Sequence, residues 1–282
     1  MDISAIRAEA RQLQSSVKGI RLLFLAPILA TIGSSLFNLL HPTTISIQQI
    51  LSPSVFFTFL FNRTLFPWVM NFVLSIFITS AFAALLEVLQ GNKQEVHFQD
   101  STRAFQSDVF GPVFLTLLIK EIMLFLWSIL ATMGALLMLY ASIIILNIAF
   151  TYPEGIPLAQ EGRLQDMSMY LAAGVIMMII GLIISIPQNY AYSQVEFILC
   201  DQLKTGHYQE AFAILRQSRR MMKGYKGSRF ILDLSFIGWA ILSSFTFGTL
   251  SIYVYPYRYA SQVIFYERLK HQASHQQHKK RG

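Results

Sequence analysis

The chain has 282 residues, of which 54% are hydrophobic and 13% charged, about half the charged share of an average soluble domain. A mean hydropathy of +0.49 and apolar runs that reach the roughly 20 residues needed to cross a bilayer exclude an ordinary soluble globular domain. The net charge of +7 is read as the Lys and Arg of inner-side loops rather than as a nucleic-acid footprint. The single cysteine, Cys200, excludes an intramolecular disulfide and any cysteine-based metal cluster.

Residues 1–19 are expected to form a cytoplasmic amphipathic helix. Ile3, Ile6, Ala10, Leu13 and Val17 share one helical face, with Arg7, Arg11 and Lys18 off it. Such a helix can lie with its apolar face in lipid and its cations near headgroup phosphates. The first span is expected at 20–40, uncleaved because no small-residue cleavage site follows it, and His41-Pro42 ends it. Residues 43–65 read as a short interfacial helix rich in Phe. A second span is expected at 66–89, opening on Pro67-Trp68 at an aromatic belt, and 90–107 as a polar loop.

The apolar run 109–150 is interrupted only by Lys120-Glu121. As one helix its 42 residues would reach about 63 Å, twice the roughly 30 Å hydrocarbon core. Two spans with a tight turn, or one helix that starts along the interface and then crosses, both fit. The charged pair favours the second, with the crossing at 122–149. A loop is expected over 151–166, which carries two Pro and two Gly, and a fourth span at 167–192, kinked at Pro187. In the polar segment 201–228, Tyr208, Ala211, Phe212, Leu215 and Met222 fall on one helical face. That face suits either an interfacial or partner-docking helix or one packed under the bundle. The run 229–267 is again too long for one span and reads as a hairpin of spans 229–247 and 249–267 turning at Gly248. A basic, disordered tail is expected over 268–282.

With both termini cytoplasmic and six spans, the inner segments 1–21, 90–107, 200–229 and 267–282 hold eighteen of the twenty-two Lys and Arg; the outer segments 41–65 and 151–166 hold Arg63 and Arg163. This asymmetry is the positive-inside pattern. The fold expected is an all-α, polytopic transmembrane helix bundle of the plasma membrane, with a 20–267 transmembrane domain.

The C-terminal half carries a more specific set of features. Ser218, Met222, Lys223, Gly224 and Lys226 form an S-x3-M-K-G-x-K segment. Leu234 to Trp239 read L-S-F-I-G-W, followed by the Gly248 turn, Pro256-Tyr257 and Phe265-Tyr266. Together they resemble the domain-of-unknown-function 975 family of integral membrane proteins, found mainly in Gram-positive bacteria, over about 100 residues. The resemblance implies membrane placement and a bacterial origin; it supplies no reaction, because the family has no established activity.

Candidate site residues follow from charge placed where lipid is expected. Asp233 lies one turn inside a span, four residues after Arg229, a spacing that favours an i,i+4 ion pair over a ligand role. Arg258 is the costliest residue of the layout. Its expected partners are Asp233, Glu87 or Glu196, with structural pairing favoured over lipid-phosphate binding. Pro187, Gln188, Asn189 and Gln194 make the end of the fourth span polar, as a kinked helix leaving the bilayer or as a cavity lining. Asp233, Arg258, Glu196 and Asn189 are therefore the candidate intramembrane polar site. Arg216, Arg219, Arg220, Lys223, Lys226 and Arg229 are the candidate contact for lipid headgroups or a partner protein. His271, His275 and His278 have helical spacing, but their Gln-, Lys- and Ser-rich surroundings favour a disordered tail over a metal site. Catalytic signatures are absent, and no cofactor is expected. The leading expectation is a non-enzymatic scaffold or accessory protein contacting anionic lipid or a membrane-protein partner. A transporter or lipid-handling protein with a cavity near Arg258 and Asp233 is the alternative.

Overall fold

The computed structural model describes residues 1–40, 53–208 and 210–281, with backbone alone at some of them, including Arg63 and residues 274–281. The first part of the expected interfacial segment 43–65 and the side chains of His275 and His278 lie outside the described residues. The described chain is all-α and falls into two compact units. One is formed by Met1–Pro42, Met70–Lys120 and Tyr190–Gly282, the other by Thr43–Val69 and Glu121–Asn189.

In the first unit, α1 (Ile3–Ser16) starts at Asp2, whose carboxylate accepts the backbone N–H of Ser4 at 2.9 Å and of Ala5 at 3.2 Å. This caps two of the donors that a helix start leaves open. The apolar stripe read in the sequence is present, but lipid does not cover it. Ile6 and Ala10 are fully buried in a core with Met222, Leu232, Phe236, Tyr257 and Ile264, and α1 packs along the last helix of the chain. Arg7, expected to face phosphates, donates from Nε to the Tyr257 hydroxyl at 3.1 Å and lies over the Phe236 ring. The stripe's period dictated burial, and a protein core supplies it.

A short 3-10 turn (Leu22–Phe24) leads into α2 (Leu25–Leu40). Gly19 (φ +82°) lets the chain pass against the loop after α4, where a Cβ would lie 2.0 Å from the Val96 carbonyl oxygen. There the Val96 N–H donates to the Lys18 carbonyl at 3.1 Å. After α3 (Pro53–Leu60) and one π-helical turn, α4 (Phe66–Leu89) is predominantly apolar, with Glu87 its one charged residue. The polar loop that follows is folded over Phe98–Phe105 as a 3-10 helix, with Asp100 accepting from the His97 backbone N–H and from Lys93.

The long apolar run is one helix: α5 spans Ser107–Thr151, 45 residues, about 68 Å at 1.5 Å per residue. The loop expected over 151–166 shrinks to the residues between Thr151 and Leu158, because α6 (Leu158–Ala191) starts well before the apolar residues. LAQEGRLQD holds helix formers with Glu161 in the first turn, where a carboxylate is favoured by the helix dipole. Pro187 lies within α6. In the second unit, α5 and α6 meet at backbone distance. A Cβ on Gly134 would come within 2.5 Å of Met178 N, and one on Gly181 within 2.2 Å of Ala131 N. Glycine at both places lets the helices approach as small residues do in membrane bundles.

The chain continues with α7 (Val195–Lys204), α8 (Ala211–Met221), α9 (Lys226–Leu234), α10 (Ile237–Phe245) and α11 (Ser251–Arg281). Gly248 (φ +80°) and Phe247 (φ +49°) make the reversal between α10 and α11. The first arm of the hairpin is not one helix; it breaks at Ser235-Phe236. The region expected as a disordered tail, 268–282, continues α11 as helix to Arg281.

Four helical stretches among the described residues are long and apolar enough to cross a membrane: Phe66–Leu89, Ser107–Thr151, Leu158–Lys204 and Lys226–Phe245. The expected spans 20–40 and 249–267 differ in kind. Leu22–Phe37 is apolar but shorter. The helix α11 is the buried axis of the first unit, with Ser261, Gln262, Tyr257 and Phe265 all enclosed by protein. Its Ser, Gln and Tyr content suits a protein-lined core and lowers its hydropathy.

Candidate functional site

The sequence Arg229-Phe230-Ile231-Leu232-Asp233 divides α9 by helical period. Arg229 and Leu232 face inward and are buried, and Asp233 is half-buried beside them, while Phe230, Ile231 and Leu234 are exposed. The guanidinium of Arg229 lies 5.7 Å from the centre of the Phe265 ring on α11, a cation–π contact. Its Nε stands 3.5 Å from Asp233 Oδ2, the i,i+4 neighbour. From α11, Arg258 Nη2 reaches to 3.6 Å of Asp233 Oδ1. Two guanidiniums therefore share one carboxylate. The depth gap expected between Asp233 and Arg258 in an ideal hairpin is closed by the break at Ser235-Phe236 and the length of the Arg side chain.

These separations satisfy an ion pair but not a hydrogen bond. Arg229 Nε and Nη1, Arg258 Nε and Asp233 Oδ1 are buried with no hydrogen-bond partner among the described residues. Buried polar atoms in native proteins are nearly always satisfied, so four such atoms in one cluster mark it out. Tyr190, at the end of α6, borders it. Its ring meets Phe230 edge-on at 6.0 Å, and Arg229, Asp233 and Arg258 are all near enough to act on its phenol electrostatically.

The other two members of the expected polar site have hydrogen-bond partners of their own. Glu196 on α7 accepts from Lys120 on α5; both side chains are nearly enclosed. This pair answers the charge that interrupts the long apolar run. Asn189 belongs to the second unit and donates from Nδ2 to the Ser185 carbonyl at 3.0 Å, a bond within its own helix. Gln188 and Gln194 each keep a buried side-chain oxygen without a hydrogen-bond partner among the described residues. Glu87 is paired with Arg103 at 2.8 Å rather than with Arg258. The Lys120–Glu196 pair and Tyr190 were not singled out from sequence; the one signal for the pair was the cost of Lys120 in an apolar run.

The basic run 216–226 is held by a polar pin. Ser218 Oγ donates to the Ala191 carbonyl at 2.8 Å and accepts the Gln194 N–H at 3.2 Å, fully buried, so α8 is fixed to the turn between α6 and α7. Ala211, Ile214 and Leu215 are buried on the same side, while Phe212 of the expected stripe is exposed. Arg219 reaches the Tyr192 hydroxyl at 3.4 Å and its ring at 5.7 Å. Arg216, Arg220 and Lys223 are exposed, and no carboxylate lies within ion-pair distance of them among the described residues. Gly224 (φ +88°) turns the chain from α8 into α9, which joins the exposed cations to buried Arg229. At the other end of the chain, His271 lies 4.0 Å from Glu267.

A small pocket in the first unit is lined by Thr79, Ser80, Glu87, Arg103, Cys200 and Asp201. Three of its charged side chains are ion-paired, Glu87 with Arg103 and Asp201 with Lys270, and Asp201 also accepts from the Tyr266 hydroxyl; the fourth, Lys204, donates to the Gln90 side chain. Cys200 is buried and donates to the Thr79 carbonyl at 3.4 Å.

Comparison with known proteins adds a family and no chemistry. Neither the curated proteins nor the solved structures give a match. A family model described as "Protein of unknown function (DUF975)" matches residues 1–273, nearly the whole chain. The chain belongs to that family.

Proposed function

We propose that the protein is a non-enzymatic, multi-pass scaffold or accessory protein of the plasma membrane, with both termini cytoplasmic, that seats a basic cytoplasmic surface on anionic lipid. The observation that carries this reading is the arrangement of α8. Its apolar side and Ser218 are fixed to the protein, and Arg216, Arg220 and Lys223 project outward without carboxylate partners among the described residues. A cation near an anionic surface contributes about 1 kcal/mol, so three to five of them give a contact that salt would weaken. Counted over six crossings, with Leu22–Phe37 and the first part of α11 added to the four long stretches, the distribution of Lys and Arg supports the orientation.

The test is hydrogen exchange of residues 211–226 with the full chain in nanodiscs. Slower exchange is expected in discs containing phosphatidylglycerol than in pure phosphatidylcholine. The difference should disappear when Arg216, Arg219, Arg220, Lys223 and Lys226 are changed to Gln. Equal exchange in both lipids would overturn the reading. The alternative, a transporter or lipid-handling protein, is favoured by one observation: the unsatisfied Arg229–Asp233–Arg258 cluster.

A further inference from the structure

The first unit holds more positive charge at one place than it neutralises. Lys120 and Glu196 cancel. Among the described residues Arg229 and Arg258 are ion-paired with Asp233 alone, which leaves one excess cation beside the Arg229 side chain, 6% exposed. Removing a charge from water costs several kcal/mol unless it is paired and hydrogen-bonded, and here three guanidinium nitrogens lack hydrogen-bond acceptors among the described residues. Asp233 cannot serve both arginines at hydrogen-bonding distance from where it stands. What the cluster lacks is an acceptor-rich anion.

We propose that Arg229 and Arg258, with Asp233 between them, form a binding site for a phosphate group. A phosphate supplies several acceptor oxygens and matches the planar fork of a guanidinium. One negative charge would neutralise the cluster. Arg229 is its enclosed wall, held in place by the Phe265 ring and Asp233. Arg258, 41% exposed, is its open side. Asp233 acts as a spacer: it keeps two like charges together when no ligand is bound, and it lowers affinity by repelling the anion. The surroundings suit a phosphate attached to a lipid. Phe230, Ile231 and Leu234 are exposed beside the cluster on α9, 46%, 54% and 47% respectively, and acyl chains would lie along them. The site differs from the α8 surface in kind: it takes one phosphate in a fixed geometry, whereas the surface attracts many headgroups loosely.

The experiment is a thermal-shift titration of the purified full chain in a neutral detergent. One arm adds phosphatidylglycerol and the other inorganic phosphate, with phosphatidylcholine as the reference. The wild-type chain is expected to gain stability in at least one arm. The affinity should fall about tenfold or more in Arg258→Gln, the worth of one hydrogen bond to a charged group. Arg258→Lys, which keeps the charge but not the planar fork, should keep only part of the gain, and Asp233→Asn, which keeps both arginines and removes the repelling carboxylate, should bind more tightly than wild type. A gain with phosphatidylglycerol alone assigns the phosphate to lipid; a gain with inorganic phosphate as well assigns a general phosphate site. No gain in either arm overturns the proposal, as does an equal gain in wild type and Arg258→Gln. Should Arg258→Gln fail to fold, Asp233→Asn decides: unchanged or weaker binding overturns it. Substitutions at Arg216, Arg220 and Lys223 lower the phosphatidylglycerol gain of wild type and Arg258→Gln alike and leave the difference between those two, and the inorganic-phosphate arm, unchanged, so the site and the α8 surface fail separately.

Discussion

The two units solve the same problem by opposite means. In the first, helices are joined by polar side chains that meet far across the sequence: Lys120 with Glu196, Arg268 with Glu9, Lys270 with Asp201, and Asp233 between two arginines. In the second, α5 and α6 touch backbone to backbone at Gly134, Gly174 and Gly181, and the outward faces stay apolar, with Phe125, Met133 and Ile183 exposed. Lipid tails are as apolar as Leu, so burial of side chains alone does not drive helices together in a bilayer. Specificity must come either from polar partners or from close shape. The first unit uses partners and the second uses shape, and substitutions that are mild in one are severe in the other.

The largest effect is expected where a partner is removed from an enclosed pair. Lys120→Met leaves Glu196 as an uncompensated charge with only 14% of its side chain exposed, and should cost about 4 kcal/mol. Thermal unfolding in detergent would show this as a large fall in Tm. The double variant Lys120→Met with Glu196→Leu should recover most of the loss, because a well-packed apolar pair replaces a buried ion pair at little cost. A double variant as unstable as the single one would mean that charge is not what holds α5 to α7.

The counterpart in the second unit is a change of volume with no change of charge. Gly181→Leu places its Cβ where the Ala131 backbone already stands, and should cost about 3 kcal/mol. Gly162→Leu, on the same helix with nothing within 4 Å, should cost almost nothing. If the two were equal, the glycine contact would not be what sets the spacing of α5 and α6.

Much of this was legible in the sequence, and the limits have physical causes. The helical content follows from apolar runs and their breaks, and the reversal at Gly248 from a residue free to take positive φ. The α1 stripe was visible from its period, but a period says only that a face must be covered. Lipid and a protein core are both apolar, so the choice between them was not written locally. Asp233 stood out because carboxylates are rare in spans, and its spacing from Arg229 pointed to one partner. The second, Arg258, had three expected partners, and the choice of Asp233 over Glu87 and Glu196 needed the tertiary structure. Glu196 and Lys120 are 76 residues apart, and their pairing needed the register of two long helices. Residues 158–166 look like a loop by composition but open α6, because a polar segment that leads into an apolar helix can extend it beyond the membrane.

A smaller effect is expected at the pin between α8 and the α6–α7 turn. Ser218→Ala removes the acceptor of the Gln194 N–H and the donor to the Ala191 carbonyl in a buried place. Leaving them unsatisfied should cost about 2 kcal/mol. Because Ser218 sits among the basic residues without sharing their charge, its loss should loosen α8 while total charge stays constant. Faster hydrogen exchange over 211–221 with unchanged exchange over 251–266 is the expected pattern. A uniform change across both segments would mean that the pin supports the whole first unit rather than α8 alone.

The smallest effect should come from acid, and only in the loop after α4. Burial pushes the Asp100 pKa up, toward the neutral form, but the Lys93 ammonium and the His97 N–H outweigh it and hold the carboxyl below its ordinary value of 3.8. A folded-state value below the unfolded one means that the carboxylate stabilises the loop above that ordinary value. The contribution is lost as pH falls through the lowered one. Between neutral pH and pH 5 the exchange of 97–105 should therefore be flat once corrected for intrinsic rates. Protection should begin to fall below about pH 4, and Asp100→Asn should show that loss already at neutral pH. Protection lost well above pH 5 would mean that Asp100 is not the group that holds the loop. Because this loop is tied to Gly19 through the Lys18 carbonyl, its loosening should free the start of the first unit and leave the glycine contacts of the second untouched, the same division reached from its mildest end.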